Sequence, residues 1–401
     1  MTTRRQFLKT GAIVSLSSLV PGIFARTARA AVTAPDAPVL IVVQLDGGND
    51  GLNTVVPFGD DAYGRHRNKL RLDSARLHKL DDHLGLHADM TAAKSLFDDG
   101  RLAIVQNVGY PNPDRSHFRS MRIWHTARLD DDQHDYGWLG RTLDVHTVRR
   151  PRATTSDAVY VGDQDTPLAL WGRRCAAMAL SRATDLHLEL DALAARRVDS
   201  QTDSPALDQF VAHQVLNAYA AASEFQKRHG TPGSGERSQY PGTELGAKLQ
   251  LIAQLLKSGS QARVFYAVQT GYDTHATQLF AHARLLREFA DALQTLLNDL
   301  KTSGLDERVV VLAFSEFGRR VTENASQGTD HGTAGPVFLA GRQIQGGLLG
   351  DYPDLSDLDN GDLRVKVDFR QVYATLLDNW LGVPSREILG GKFDSLPILK
   401  N

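Results

Sequence analysis

The chain has 401 residues, of which 42% are apolar, with 45 basic against 47 acidic groups and a formal net charge of −2. That balance excludes a strongly basic surface for nucleic acid or anionic lipid, and the apolar share suffices for one large core rather than a disordered chain. Cys175 is the only cysteine, so a single copy can hold no disulfide, thiolate zinc knuckle, iron–sulfur cluster or C-x-x-C-H haem attachment. Any metal must therefore rest on oxygen and nitrogen.

Along the chain, Thr3-Arg4-Arg5-Gln6-Phe7-Leu8-Lys9 reads as the box of a twin-arginine export signal. Gly11 to Phe24 follows, apolar but broken by Ser15, Ser17, Ser18, Pro21 and Gly22. A bilayer crossing takes roughly 20 apolar residues, so this run is too short and too interrupted to span. Ala28-Arg29-Ala30 supplies the small-x-small pattern of a cleavage site, and the cut is expected after Ala30. Residues 1–30 are thus read as a signal peptide and 31–401 as a single domain without a transmembrane segment. The expected partner is the twin-arginine machinery, which exports folded proteins to the periplasm or beyond. Removing Arg4, Arg5, Lys9, Arg26 and Arg29 with no acid leaves the mature chain more acidic still, and nucleic acid is not an expected partner.

Val39 to Leu45 is a continuous apolar run of strand length, the pattern of a strand covered on both faces of a parallel sheet. Similar runs recur at Leu102 to Val105, Ala158 to Val161, Val264 to Val268, Val309 to Phe314 and Val337 to Ala340. Helical stretches alternate with them, which predicts an α/β fold. The clearest helix spans about Thr277 to Leu300, where Leu279, Ala283, Leu286, Ala290, Leu293, Leu297 and Leu300 repeat at three and four residues. Leu245, Leu249, Ile252, Leu255 and Leu256 form a second stripe, ended by Ser258-Gly259-Ser260. A further helix is read near Leu207 to Lys227, and the Gly- and Pro-rich stretch His229 to Gly242 as an exposed loop.

Ligands of an open parallel sheet sit beyond the carboxyl ends of its strands. Asp46 follows the first run; Gly271-Tyr272-Asp273-Thr274-His275 follows the run ending at Val268; Ser315-Glu316-Phe317-Gly318-Arg319 follows Phe314. A fourth polar cluster, Gly328-Thr329-Asp330-His331-Gly332-Thr333, precedes the Val337 run. Carboxylates and imidazoles crowded at one edge need a cation between them, and such donor sets suit Zn, Mn, Mg or Ca. Each group has a plainer reading: a turn cap for Asp46, half of an ion pair for Glu316. The coincidence of four clusters is what favours metal.

Gln44 to Asn53, Arg115-Ser116-His117-Phe118, Tyr240 to Gly246, Gly271 to His275, Phe314 to Arg320, Gly328 to Ala334 and Val367-Asp368-Phe369-Arg370 together resemble the exported bacterial family labelled domain of unknown function 1501, a branch of the alkaline phosphatase and sulfatase superfamily. The resemblance covers nearly all of the mature chain. It implies a three-layer sandwich with a mostly parallel central sheet and helices on both faces. It also implies metal ligands at Asp46, Asp273, His275, Glu316 and His331, with Asp330 beside them. The chain departs from the superfamily pattern twice. One residue instead of three separates Asp273 from His275, and Phe317 stands where an imidazole is usual. On that reading one metal position would have only Asp46 and Glu316, helped by Asn49 or Asp50, so one or two divalent ions are expected.

The superfamily nucleophile lies at a helix start, where backbone N–H groups favour an anion. Ser116 fits that place, before a helix predicted from His117 to Thr126; its plainer reading is an N-cap. His117, Arg115 and Arg119 are placed to hold an oxyanion. Arg319 and Arg320 are read either as substrate clamps or as a solvated loop start. His66, His78, His83 and His87 read as surface groups, His125 and Trp124 as facing the core or the site rim, and Trp138, Trp171 and Trp380 as packing residues. The expectation is an exported metal-dependent hydrolase of phosphate or sulfate esters acting on a small-molecule or glycan substrate. The alternative is a non-catalytic cell-envelope binding protein that keeps the fold.

Overall fold

In the computed structural model the described residues are 37–130, 135–149, 157–175, 177–181 and 239–400. The expected signal peptide, the helix near 207–227 and most of the 229–242 loop lie outside them.

Strand β1 (Val39–Asp46) shows why the sheet becomes a middle layer. Its residues alternate between two cores, with Val39, Ile41, Val43 and Leu45 on one side and Leu40 and Val42 on the other. Both faces are therefore covered. Helix α1 (Thr91–Asp98) leads into β2 (Leu102–Gly109), which is buried throughout. Next come α2 (His117–Thr126) and α3 (Trp138–Arg149), then the short strands β3 (Ala158–Val161) and β4 (Met178–Leu180). Helix α4 (Glu244–Lys257) precedes β5 (Val264–Thr270), and α5 (Gln278–Thr302) follows it. The chain finishes the sheet with β6 (Val309–Phe314), β7 (Gly335–Ala340), β8 (Gly347–Leu349) and β9 (Val367–Asp368), the last running into α6 (Phe369–Thr375).

The nine strands run in the order β8-β2-β7-β6-β1-β5-β3-β4, with β9 also on β2. All pairings are parallel except those of β7, which runs against both β2 and β6. Leu96 of α1, Leu249 and Ile252 of α4, and Leu286, Leu293 and Leu300 of α5 fill one core with β1. Ile123 and Trp124 of α2, Trp138 and Leu143 of α3, and Val372 and Tyr373 of α6 fill the other. The three-layer α/β arrangement is thus the expected one, and α2 begins and ends where the sequence places it. Among the described residues no helix is long and apolar enough to cross a membrane.

Candidate metal centre

Strand register sets the level of the site. Asp46 stands opposite Thr270 of β5, and Gln44 opposite Phe314 of β6. The segments that follow β1, β5 and β6 therefore leave the sheet side by side. Because β7 is antiparallel to β6, residues 315–334 return at the same edge. The Tyr272 N–H donates to the Asp46 carbonyl at 3.1 Å, which ties two of these segments together.

A glycine pair permits the close approach that follows. Gly47 and Gly48 have φ of 117° and 79°, a region that L side chains avoid. A Cβ on Gly47 would lie 2.4 Å from the Asp273 nitrogen, and one on Gly48 would lie 2.4 Å from the Phe317 ring.

Three imidazoles and one carboxylate meet above this pair. His331 Nε2 is 3.2 Å and His275 Nε2 3.0 Å from Asp273 Oδ1, while His117 Nε2 is 3.6 Å away. His275 Nε2 and His331 Nε2 are only 2.9 Å apart. One ligand atom each from His117, Asp273 and His331 falls within 4.8 Å of the others. The outer ring nitrogens are all tied down. His117 Nδ1 is 2.7 Å from Glu316 Oε1, His275 Nδ1 is 3.2 Å from Asp330 Oδ1, and His331 Nδ1 donates to the Arg115 carbonyl at 2.8 Å. With each Nδ1 facing an acceptor, each neutral ring carries its proton there and turns the Nε2 lone pair inward. The Phe317 ring packs 4.9 Å from His117 and 4.8 Å from His331 and so holds the two imidazoles in place.

The donors fit a divalent metal. His117 Nε2 is a buried atom with no hydrogen-bond partner, and His275 Nε2 and His331 Nε2 at 2.9 Å need a proton or a cation between them. Outer-ring contacts to carboxylate and carbonyl are the usual support of ligating histidines. Three imidazoles with one carboxylate suit a borderline ion such as Zn²⁺ better than Mg²⁺ or Ca²⁺, which prefer all-oxygen sets.

Charge around the cluster is distributed unevenly. Burial opposes ionisation of Asp273, but the hydrogen bond and charge of Arg319 outweigh it and hold this carboxyl below its ordinary range. Asp46, hydrogen-bonded by Gln44 Nε2 at 2.8 Å, is pushed up by burial and by the neighbouring Glu316. The hydrogen bond to Glu316 raises His117, against the effect of its burial.

The structure therefore gathers Asp46, His117, Asp273, His275, Glu316, Asp330 and His331 at one edge, but distributes them differently from the expectation. Glu316 is buried, accepting from the Gly47 N–H at 3.0 Å and the Ser315 hydroxyl at 3.1 Å as well as facing His117. Its Oε1 lies against the His117 ring and so sets the orientation of that imidazole. Asp50, expected to help Asp46 and Glu316 hold an ion, is sealed against Arg67, and Asn49 accepts from Thr54 and lies 2.9 Å from His282 Nε2. Ser116 is exposed at the N-cap of α2, its hydroxyl makes no capping bond, and its N–H donates to Asp114. Arg119 Nε is 3.2 Å from that same Asp114. Arg319, read as a clamp or a solvated loop start, is buried because backbone carbonyls surround its guanidinium. His87, expected at the surface, is buried beside His282, and Trp171, expected to pack, is half exposed.

Sequence reasoning missed the polar layer beneath the cluster. Gln278 accepts from Thr274 at 3.1 Å and Thr329 at 2.7 Å, joining the two histidine loops, and its amide donates to Asp50. His282 lies on the buried face of α5 and is depressed to about 4 by burial. A histidine four residues after Gln278 on an otherwise apolar stripe was the available signal.

A family model described as "Protein of unknown function (DUF1501)" matches residues 37–392. No curated protein matches the chain. Solved structures to which it is similar include the PsFucS1 sulfatase from Pseudoalteromonas sp., at 13% identity and a TM-score of 0.42 over 96% of this chain and 77% of that one. A protein in the alkaline phosphatase superfamily from Vibrio parahaemolyticus is 11% identical, with a TM-score of 0.41 over 89% of this chain and 69% of the other. The lipoteichoic acid synthase LtaP from Listeria monocytogenes is 13% identical, with a TM-score of 0.38 over 90% and 76% respectively.

Proposed function

This chain belongs to the DUF1501 family, and we propose from the geometry of its own side chains that it is a metal-dependent hydrolase of phosphate or sulfate esters. The observation that carries the reading is the convergence of three imidazole Nε2 atoms on Asp273 while every Nδ1 is occupied. His117, His275, His331 and Asp273 would hold the ion, which supplies Lewis acidity and an activated water when bound. In this assignment His117 moves from oxyanion binder to ligand. Glu316, Asp330 and the Arg115 carbonyl fix the ring orientations, and Asp46 stands at the edge of the cluster as a further carboxylate.

Ser116 immediately precedes His117 at the start of α2. A negatively charged ester group at this helix start would meet backbone N–H groups and the positive end of the dipole. The Ser116 hydroxyl is then the candidate nucleophile, while the neighbouring Arg115 and Arg119 are engaged by the carboxylates of Asp362 and Asp114. A small-molecule or glycan ester in the periplasm is the substrate class in this reading. The export box at Thr3 to Lys9 and the cleavage pattern at Ala28 to Ala30 support delivery by the twin-arginine machinery of one folded domain, residues 31–401.

The test is elemental analysis of the purified protein together with a panel of phosphate, sulfate and phosphonate esters. Wild type should contain a divalent metal and turn over at least one ester. The Asp273→Ala, His331→Ala double variant should lose both while keeping its far-UV circular dichroism. Turnover retained by that variant discards the assignment, and a metal-containing wild type that turns over none of the panel favours the binding-protein alternative.

A further inference from the structure

Arg319 is the feature that the proposed chemistry leaves unused. Its side chain has no solvent exposure, yet it lies directly under the cluster. Nε donates to the Gly48 carbonyl at 2.7 Å and Nη1 to the Thr329 carbonyl at 2.8 Å. Nη2 donates to the carbonyls of Gly47 and Tyr272 and, at 2.7 Å, to Asp273 Oδ1. Four backbone carbonyls and a carboxylate oxygen thus surround one positive charge. The guanidinium keeps this charge permanently, since it does not deprotonate in proteins.

The carboxylate expected to serve a second ion is also committed. Glu316 Oε1 accepts from the Gly47 N–H and faces His117 Nδ1, while Oε2 accepts from Gly47 and the Ser315 hydroxyl. Asp46 already accepts from Gln44.

We infer that the site takes a single divalent transition-metal ion on the three imidazoles and Asp273, and that Arg319 is a positioning residue whose sealed guanidinium sets a fixed positive charge against Asp273. The inference rests on the metal-dependent reading above and adds the number of ions and the part played by Arg319. Arg319 acts through Asp273, fixing the Oδ1 atom toward which the imidazoles point. Phe317 closes the adjoining position with a ring that binds no metal.

The experiment is metal stoichiometry on the full chain, stripped with chelator and titrated with Co²⁺ and then Zn²⁺. It is read by inductively coupled plasma mass spectrometry and by the visible d–d spectrum of the cobalt form. Wild type should saturate at one ion per chain with a single cobalt spectrum. Arg319→Gln should still saturate at one ion, with affinity lowered roughly 10–100-fold and an altered cobalt spectrum. Two ions per wild-type chain would overturn the inference while leaving the hydrolase reading standing. An Arg319→Gln protein with wild-type affinity and spectrum would remove Arg319 from the account. No retained ion in wild type would defeat the metal-dependent reading itself. If Arg319→Gln does not fold, Arg319→Lys carries the affinity comparison, and the wild-type count decides the number of ions regardless.

Discussion

Two arginine–carboxylate pairs lie at the same sheet edge and have opposite fates. Arg67 and Asp50 are both sealed from solvent, with guanidinium contacts of 2.6 Å and 3.0 Å to the two carboxylate oxygens, and Gln278 adds a further donor. Arg67 also donates to the carbonyls of Arg320 and Val321, so the pair fastens the segment after β6 to the turn after β1. Arg319 is equally sealed, but its partner Asp273 keeps 47% of its side-chain surface exposed and faces three imidazoles. A carboxylate bound at both oxygens and sealed from solvent is scaffold; one held by a single oxygen and left open is available for chemistry. What separates them is the saturation of the acid, since the arginines are alike.

Four changes would break or sharpen that contrast. The largest effect is expected for Arg67→Ala, which strands the buried Asp50 charge. Loss of about 3–5 kcal/mol in urea unfolding is predicted, and a smaller loss would mean the pair is not the fastener described. Acidification comes next. Burial depresses His125 to about 3 and His282 to about 4, below the unfolded value of ~6.5. Their folded-state contribution is complete above that unfolded value and is lost as pH falls from it toward the folded values, because only the unfolded chain takes up the protons. Asp50, held low by Arg67 against its burial, adds its own loss further down, as pH falls below the unfolded carboxylate value. The urea midpoint of the apo protein should therefore decline below about pH 6.5, and a flat profile to pH 4 would contradict the burial of these histidines.

A third change acts on the open pair's surroundings. Glu316→Gln removes the charge behind His117 but keeps the shape, and metal affinity measured by chelator competition should fall roughly 10–100-fold. Unchanged affinity would separate Glu316 from the imidazole it touches. The smallest stability effect is expected at Ser116, whose hydroxyl makes no capping bond. Ser116→Ala should move the unfolding free energy by less than about 0.5 kcal/mol, while ester turnover tells a nucleophile from a passive helix start.

The layers of this fold were legible because the run Val39 to Leu45 is apolar at every position but Gln44, which only a strand covered on both sides tolerates. The direction of β7 was not, since an apolar run reads alike forward and backward. At the site, residue types at strand ends predicted which groups would assemble, and they stand together. Their division of labour depended on approaches that no spacing records. Glu316 faces His117 because the Gly47 N–H and the Ser315 hydroxyl turn it there. A histidine after a helix-start serine offers the same signal for an anion binder and for a metal ligand, so spacing does not separate the two roles at His117. Arg67 and Asp50, separated by 17 positions, carry no mark in sequence that one will bury the other.

The reversal of β7 has a mechanical consequence. Since β6 and β7 form a hairpin, residues 315–334 depart from and rejoin the sheet at one rim without a crossover helix. Glu316, Arg319, Asp330 and His331 all ride on that excursion. The four groups therefore reach the rim on one continuous stretch whose ends are set by neighbouring strands and whose middle is tied to the turn after β1, so a shift of that stretch would displace all four together.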